Sequence, residues 1–165
     1  SIHTEPVFEK PILLRDILQP EDSVPDKFYL SEAAIEKFNF LRGPKKIERT
    51  SVNGHKYIYS EGGMSEIDDL DKPGRTMLTS EGTTNRSSHV VEVNGRRRFL
   101  TPLECERLNG FPDEWTNTMS DRMRYFCMGN ALVVGLIERM GKRIEEIEKK
   151  HMEDIPLQEK FFLNN

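Results

Sequence analysis

Cysteine is scarce in this sequence and histidine is scattered. The two cysteines, Cys105 and Cys127, share no CxxC spacing, and the four histidines form no cluster with them. That suggests neither a zinc site nor a disulfide framework, so no metal is expected, and it fits a reducing, cytoplasmic setting. No apolar run approaches the roughly 20 residues needed to span a bilayer, so no contact with a membrane is expected, and Ser1 opens no signal peptide. Excess positive charge is missing too: the net charge is −4. Any nucleic-acid surface must therefore be local rather than a property of the whole chain. There is no internal repeat and no low-complexity tract. A length of 165 residues predicts one domain with a modest core. A start at Ser1, without methionine, suggests numbering that begins inside a longer chain.

What is present is concentrated in RRRFLTPLECERLNGFPDEW, residues 96–115. Thr101 precedes Pro102 and, three residues on, Glu104, so a hydroxyl cap, a proline at the first helical position and a capping-box carboxylate coincide. A helix of about two turns is predicted from there, with Leu100 and Cys105 as a weak staple and Gly110-Phe111-Pro112 as the stop. Further on, Gly129-Asn130 interrupts an apolar run, and Asn130 reads as the N-cap of a following helix. Val133, Leu136 or Ile137, Met140, Ile144 and Ile147 then recur at three- and four-residue steps as one buried face. On the opposite face Glu138 with Lys142, Glu145 with Lys149 and Glu146 with Lys150 are acid-before-base pairs at i,i+4.

Upstream, residues 2–18 read as a proline-containing strap ending in a turn of helix, and 20–25 as a polar linker. Leu30, Ser31 and Ile35 repeat the staple-and-cap pattern, with Ile35, Phe38 and Leu41 as the stripe of a helix stopped by Gly43-Pro44. Asn53-Gly54 and Asn94-Gly95 each sit between extended segments and predict two-residue hairpins. The second would place Val91 across from Arg98 and Val90 across from Phe99. Residues 75–78 are a further strand candidate. The whole divides into a strap and helix (1–43), a hairpin-rich region (44–100), two helices (101–150) and a tail (151–165). The pair Phe161-Phe162 in that tail reads as a docking contact against its own domain.

Residues 79–89, TSEGTTNRSSH, hold no apolar side chain. Hydroxyls, an amide and Arg86 are groups that donate to phosphate oxygens or read base edges, and they are equally the composition of a solvated loop. From residue 75 to 100 there are five arginines against two glutamates, a local positive balance inside an acidic chain.

Two motifs together carry a family resemblance. Arg98, Leu100, Thr101, Glu104, Arg107, Leu108 and Gly110-Phe111-Pro112-Asp113 resemble motif IX of the DNA cytosine-5 methyltransferases. Gly129-Asn130-Ala131 with Val133-Val134 resembles motif X, with Ala131 where the family has serine. The resemblance implies an α+β fold, an irregular small domain of β-hairpins followed by the motif IX and X helices. It implies double-stranded DNA as partner, in a restriction-modification setting. DNA contacts are then expected from Arg75, Thr76, Thr79, Ser80, Thr83, Thr84, Asn85, Arg86, Ser87 and Ser88. Asn130, Ala131 and Leu132 would help close the S-adenosylmethionine site, a role compatible with capping by Asn130. Arg98, Thr101, Glu104 and Arg107 would organise the domain structurally.

The family's chemistry needs a cysteine that attacks cytosine C6, on a Pro-Cys segment, and a glutamate on a Glu-Asn-Val segment. Neither segment occurs here, nor do a Gln-x-Arg-x-Arg segment and a glycine-rich cofactor loop. Cys105 and Cys127 read as buried helix residues, so no catalytic residue is assigned. The chain is too short for a Rossmann-type lobe plus a recognition domain. The expectation is a target-recognition and C-terminal domain, inactive alone, paired with a catalytic lobe of the same or a companion chain. Self-association through the apolar stripe is expected in isolation. The rival readings are a free-standing DNA-binding or regulatory module and an interaction subunit that uses motif X for docking.

Overall fold

The capping signals at Ser31 and Thr101 translate directly into helices. In the computed structural model, which describes residues 8–154, Ser31 accepts from the Ala34 amide and starts α2 (Glu32–Arg42), after the single turn α1 (Leu14–Ile17). Thr101 accepts from the Glu104 amide, Glu104 returns a bond to the Thr101 amide, and α3 (Pro102–Leu108) follows. Between α2 and α3 lie two antiparallel hairpins, β1 (Lys45–Thr50) with β2 (Lys56–Glu61) and β3 (Val90–Val93) with β4 (Arg96–Phe99). Helices α4 (Asp121–Asn130) and α5 (Val134–Asp154) complete the order. The class is α+β, helices with two small strand pairs.

The β3–β4 register is the expected one, Val91 opposite Arg98 and Val90 opposite Phe99. Its two-residue turn has Asn94 and Gly95 both at positive φ, 51° and 76°, which the right-handed twist of a tight hairpin requires. The first hairpin differs from expectation. Its turn is longer, closed by Gly54 N donating to Ser51 O and Ser51 N to His55 O, with positive φ at Gly54 alone of the Asn53-Gly54 pair. That is a turn plus a left-handed glycine, the usual three-residue solution. Residues 75–78 form no strand: the amides there bond side chains instead, Arg75 N to His89 Nε2 and Leu78 N to Glu81 Oε2.

The core gathers Leu14, Ile17, Val24, Phe28, Met77, Val91, Leu100, Cys105, Tyr125 and Met128. Phe38 is buried beside it, edge-on to Phe99. Thus Leu14 and Ile17 of the strap belong to this chain's own interior, while Ile12 stays exposed. The strap's first residues and the tail, with Phe161 and Phe162, lie outside the described residues.

Two further expectations change at the C-terminal side. Asn130 does not cap the following helix: it is the last residue of α4, its amide donating to Phe126 O at 2.9 Å, and α5 begins only at Val134. The stripe Val133, Leu136, Ile137, Met140 and Ile144 is exposed rather than buried, because α5 leads away from the core. Of the expected surface pairs Glu138–Lys142 forms at 2.7 Å, whereas Glu146 takes Arg143.

Candidate nucleic-acid interface

The hydroxyl-rich loop 79–89 is held at both ends by buried charge. Glu81 and His89 are each almost wholly enclosed, with His89 Nδ1 2.8 Å from Glu81 Oε1. Because His89 Nε2 accepts the Arg75 amide at 2.9 Å, a neutral ring has its proton on Nδ1, facing the carboxylate. Beside this pair Asp68 accepts from Arg42, Arg75 and the Val90 amide. Burial alone would push Asp68 up, but the Arg75 and Val90 hydrogen bonds and the Arg42 charge outweigh it and hold the carboxyl below its ordinary range. Arg42, at the end of α2, is 1% exposed and also donates to the carbonyls of Ser65 and Glu66, both at 3.0 Å.

Within this frame the expected DNA-contact residues fall into two sets. Ser88 is fully enclosed, and Arg75 is engaged with Asp68 and the Ser87 carbonyl. Arg86 donates to Leu41 O at 3.1 Å and pairs with Glu61 at 2.9 Å, bracing the loop against α2 and the base of the first hairpin. The outward set is Thr76, Thr79, Thr83 and Asn85, with Ser80, Thr84 and Ser87 half-buried. Thr83 Oγ1 donates to Ser80 O and Asn85 Oδ1 accepts from the Ser87 amide, so the loop shapes its own turns.

Thr79, Ser80 and Thr83 face helix α4 across a cleft of about 780 Å³, whose far wall is Ser120, Arg122, Met123 and Phe126. A smaller cleft of about 330 Å³ adjoins it, with Phe28, Phe99 and Tyr125 at its floor. Two glycines set the approach of loop and helix. A Cβ on Gly82 would lie 2.2 Å from the Tyr125 ring, and one on Gly129 would lie 2.3 Å from the Thr79 amide nitrogen. Tyr125 is fixed in turn by its hydroxyl, which donates to Leu100 O at 2.7 Å. Arg122 is exposed on the cleft and, among the described residues, takes no carboxylate, whereas its neighbour Arg124 pairs with Glu106 and Glu114. The cleft thus presents hydroxyls and the Arg122 guanidinium beside apolar Met123 and Phe126, groups of the kinds that can meet phosphate and base edges. Sequence reasoning missed Arg122, Met123 and Phe126 because α4 buries little more than Tyr125 and Met128 and shows no clear apolar period.

The motif IX residues lie behind this surface. Arg98 and Glu104 are both wholly buried and meet in a two-point pair; Arg98 also reaches Glu21 at 2.9 Å. Glu104 further accepts from the amides of Gln19 and Thr101, at 2.9 and 2.8 Å. Arg107 pairs with Asp113 and donates to the carbonyls of Ile17 and Leu18. Together they fasten the strap to α3. Asn109, not singled out from sequence, clamps the next junction: its amide donates to Met128 O at 2.8 Å and its carbonyl accepts from Val134 N at 2.9 Å. Asn130 and Leu132 are exposed on the connector so held, with Ala131 half-buried between them.

Neither cysteine has the surroundings of a nucleophile. Burial pushes the Cys105 thiol well up, and Glu81, Glu104 and Glu106 push the same way. Cys127 is half-buried beside Met119. No cluster of metal-ligating side chains occurs among the described residues, and no helix there is long and apolar enough to cross a membrane.

Comparison with known proteins agrees with these motifs. The model of the C-5 cytosine-specific DNA methylase family matches residues 3–146. Type II methyltransferase M.Sau3AI of Staphylococcus aureus is 57% identical over 148 residues, which cover 90% of this chain and 35% of that protein. M.HpaII of Haemophilus parainfluenzae is 32% identical over 152 residues, 87% of this chain and 41% of its own length. M.HhaI of Haemophilus parahaemolyticus is 25% identical over 139 residues. The chain therefore spans between a third and a half of the length of these three relatives. With motifs IX and X in place, and a family match running through nearly all the described residues, the chain belongs to the C-5 cytosine-specific DNA methylases.

Proposed function

We propose that this chain is the target-recognition and C-terminal part of a DNA cytosine-5 methyltransferase, of the small-domain type, binding double-stranded DNA at the cleft between loop 79–89 and α4. The catalytic lobe, with its nucleophilic cysteine, is supplied by another segment or a companion chain, and this chain alone is inactive. The observation that carries this reading is the exposed apolar stripe of α5, Ile137, Met140 and Ile144, which follows directly on the motif X connector. An uncovered face of that size on an otherwise acidic chain is the mark of a docking surface.

S-adenosylmethionine supplies the transferred methyl group in this reading. Asn130, Ala131 and Leu132 form an open connector rather than a cavity, which fits one wall of a cofactor site completed by the other lobe. Asn130 would offer its amide carbonyl, since its NH₂ group is engaged by Phe126 O, and Leu132 would offer apolar cover. In place of the family's serine, Ala131 contributes no hydroxyl.

The test is to mix this chain with a separately purified lobe carrying the Pro-Cys and Glu-Asn-Val segments and to measure methyl transfer to DNA. Activity is expected only from the mixture. Activity from this chain alone would overturn the reading, and failure to complement a folded cognate lobe would favour a free-standing DNA-binding module.

A further inference from the structure

We propose that the outer edge of β2 is a self-association surface: two copies of this chain pair antiparallel along it, β2 against β2, about a two-fold axis through Ile58, and join their hairpins into one four-stranded sheet. This goes beyond the DNA-recognition reading and does not rest on it.

The β1–β2 hairpin is an incomplete sheet. Among the described residues β1 is the only strand that β2 pairs with, and neither strand contributes to the buried cluster. A two-stranded ribbon is marginal in water; three or more strands, or a helix packed against it, make a sheet stable. The register leaves one edge of β2 open. Ser51 N donates to His55 O, so these two form a hydrogen-bonded pair, and bonded and non-bonded pairs alternate from there through Thr50–Lys56, Arg49–Tyr57 and Glu48–Ile58. The backbone N–H and C=O groups of Lys56, Ile58 and Ser60 therefore face away from β1. All three residues are exposed, and among the described residues no other backbone group takes them.

That edge is complementary to itself. Opposed residues of an antiparallel pair are both bonded or both non-bonded, so a two-fold through Ile58 sets Ile58 against its own counterpart in the second copy, and Lys56 against Ser60. The non-bonded positions between them bring Tyr57 of one copy beside Tyr59 of the other, an aromatic pair at the closer cross-strand spacing. No like charges stand opposite one another. Ile58, 70% exposed in the single chain, and Tyr57, 42% exposed, would both gain cover. The outer edge of β1 has no such match. Its outward groups belong to Lys46, Glu48 and Thr50, and the equivalent two-fold would set Glu48 against Glu48, a repulsion of the kind that keeps edge strands apart. On β2 the one charged residue facing that way is Lys56, at the end of the strand and 3.5 Å from Glu48 of its own hairpin. The open backbone groups would serve any extended strand; the matching of Ile58 with itself and of Tyr57 with Tyr59 selects a second copy.

The test is sedimentation equilibrium of the 165-residue chain over a concentration series, without DNA. A monomer–dimer equilibrium is expected. Ile58→Pro removes an outward N–H and spares the bonds within the hairpin; it should weaken dimerisation about tenfold or more with the far-ultraviolet dichroism unchanged. Should the proline disturb the hairpin, Ile58→Lys decides, because it leaves the backbone alone and sets two like charges face to face on the axis. In a Cys127→Ser background, Ile58→Cys should form an inter-chain disulfide on mild oxidation, since opposed residues of a bonded pair have Cα atoms about 5.5 Å apart, within disulfide reach. A chain that stays monomeric throughout the series overturns the proposal, and so does a dimer indifferent to both Ile58→Pro and Ile58→Lys. A dimer lost in Ile144→Glu and kept in Ile58→Lys puts self-association on α5 and overturns the β2 edge. All of these outcomes leave the DNA-recognition reading where it stands.

Discussion

Arg98 and Glu104 meet through two parallel hydrogen bonds, Nη1 to Oε2 at 2.8 Å and Nη2 to Oε1 at 2.9 Å, with neither side chain reached by solvent. The same carboxylate closes the capping box of α3 and holds the strap at Gln19, so one ion pair joins strand, helix and N-terminal segment. Removing either partner strands the other as a buried charge. Glu104→Ala or Arg98→Ala is expected to cost roughly 3 to 5 kcal/mol in urea unfolding. Arg98→Met with Glu104→Leu together should cost clearly less than the sum of the two single changes.

Acid should loosen the loop frame at Asp68. Its folded carboxyl is held below the usual 3.8, so its contribution is present at neutral pH and is lost as pH falls through the carboxylate range towards the folded value. Thermal melts as a function of pH are expected to drop below about pH 4. Asp68→Asn should lower the melting temperature at pH 7 and narrow the gap between neutral and acid melts.

Gly129→Ala should separate the loop from α4. The new methyl would meet the Leu78 and Thr79 backbone, which cannot rotate away as a side chain could. A loss on the order of 1 to 3 kcal/mol is expected, with DNA affinity falling alongside it. A variant as stable as the parent would mean that the loop can shift at little cost.

Asn130→Ala is expected to leave the stability of this chain within about 0.5 kcal/mol, because Asn130 caps no helix and its side chain is exposed. In the reassembled enzyme the same change should raise the apparent cofactor KM. Unfolding curves and steady-state kinetics would separate the two effects.

Thiol reagents should distinguish the cysteines. Native protein is expected to react at Cys127 alone and unfolded protein at both, since Cys105 is buried and its thiol is held protonated. Rapid native labelling of Cys105 would contradict the burial on which its exclusion as a nucleophile rests.

What could be read in the sequence was local. Ser31 and Thr101 announce their helices because capping is decided within four residues, and Asn94-Gly95 defines a register because both positions must take positive φ. Asn53-Gly54 misled by one step, since the same dipeptide also fits a longer turn ended by a single left-handed glycine. The α4 helix was legible only around Cys127, because Tyr125 to Met128 form an unbroken apolar run that marks no single face, and with the rest of it went half of the cleft. Nor does a linear reading disclose long-range charge. Arg42 looks like the polar last residue of a surface helix, yet it bonds residues 65, 66 and 68 in the interior. Arg86 looks like a DNA ligand in composition, and its partners at 41 and 61 emerge only when the chain is folded. The α5 stripe had the right period; whether it is covered by its own chain is a matter of topology.

That last helix has a thermodynamic corollary. Along its described face the side chains of α5 make pairs such as Glu138–Lys142 and Glu146–Arg143, with Arg139 reaching Glu9 of the strap, and surface pairs of that kind contribute only a few tenths of a kcal/mol each. Its amides should exchange with deuterium far faster than those of α3, whose opening requires the Arg98–Glu104 pair to break. Covering the stripe would slow that exchange, so protection along α5 would serve as a gauge of assembly that needs neither DNA nor a methyl donor.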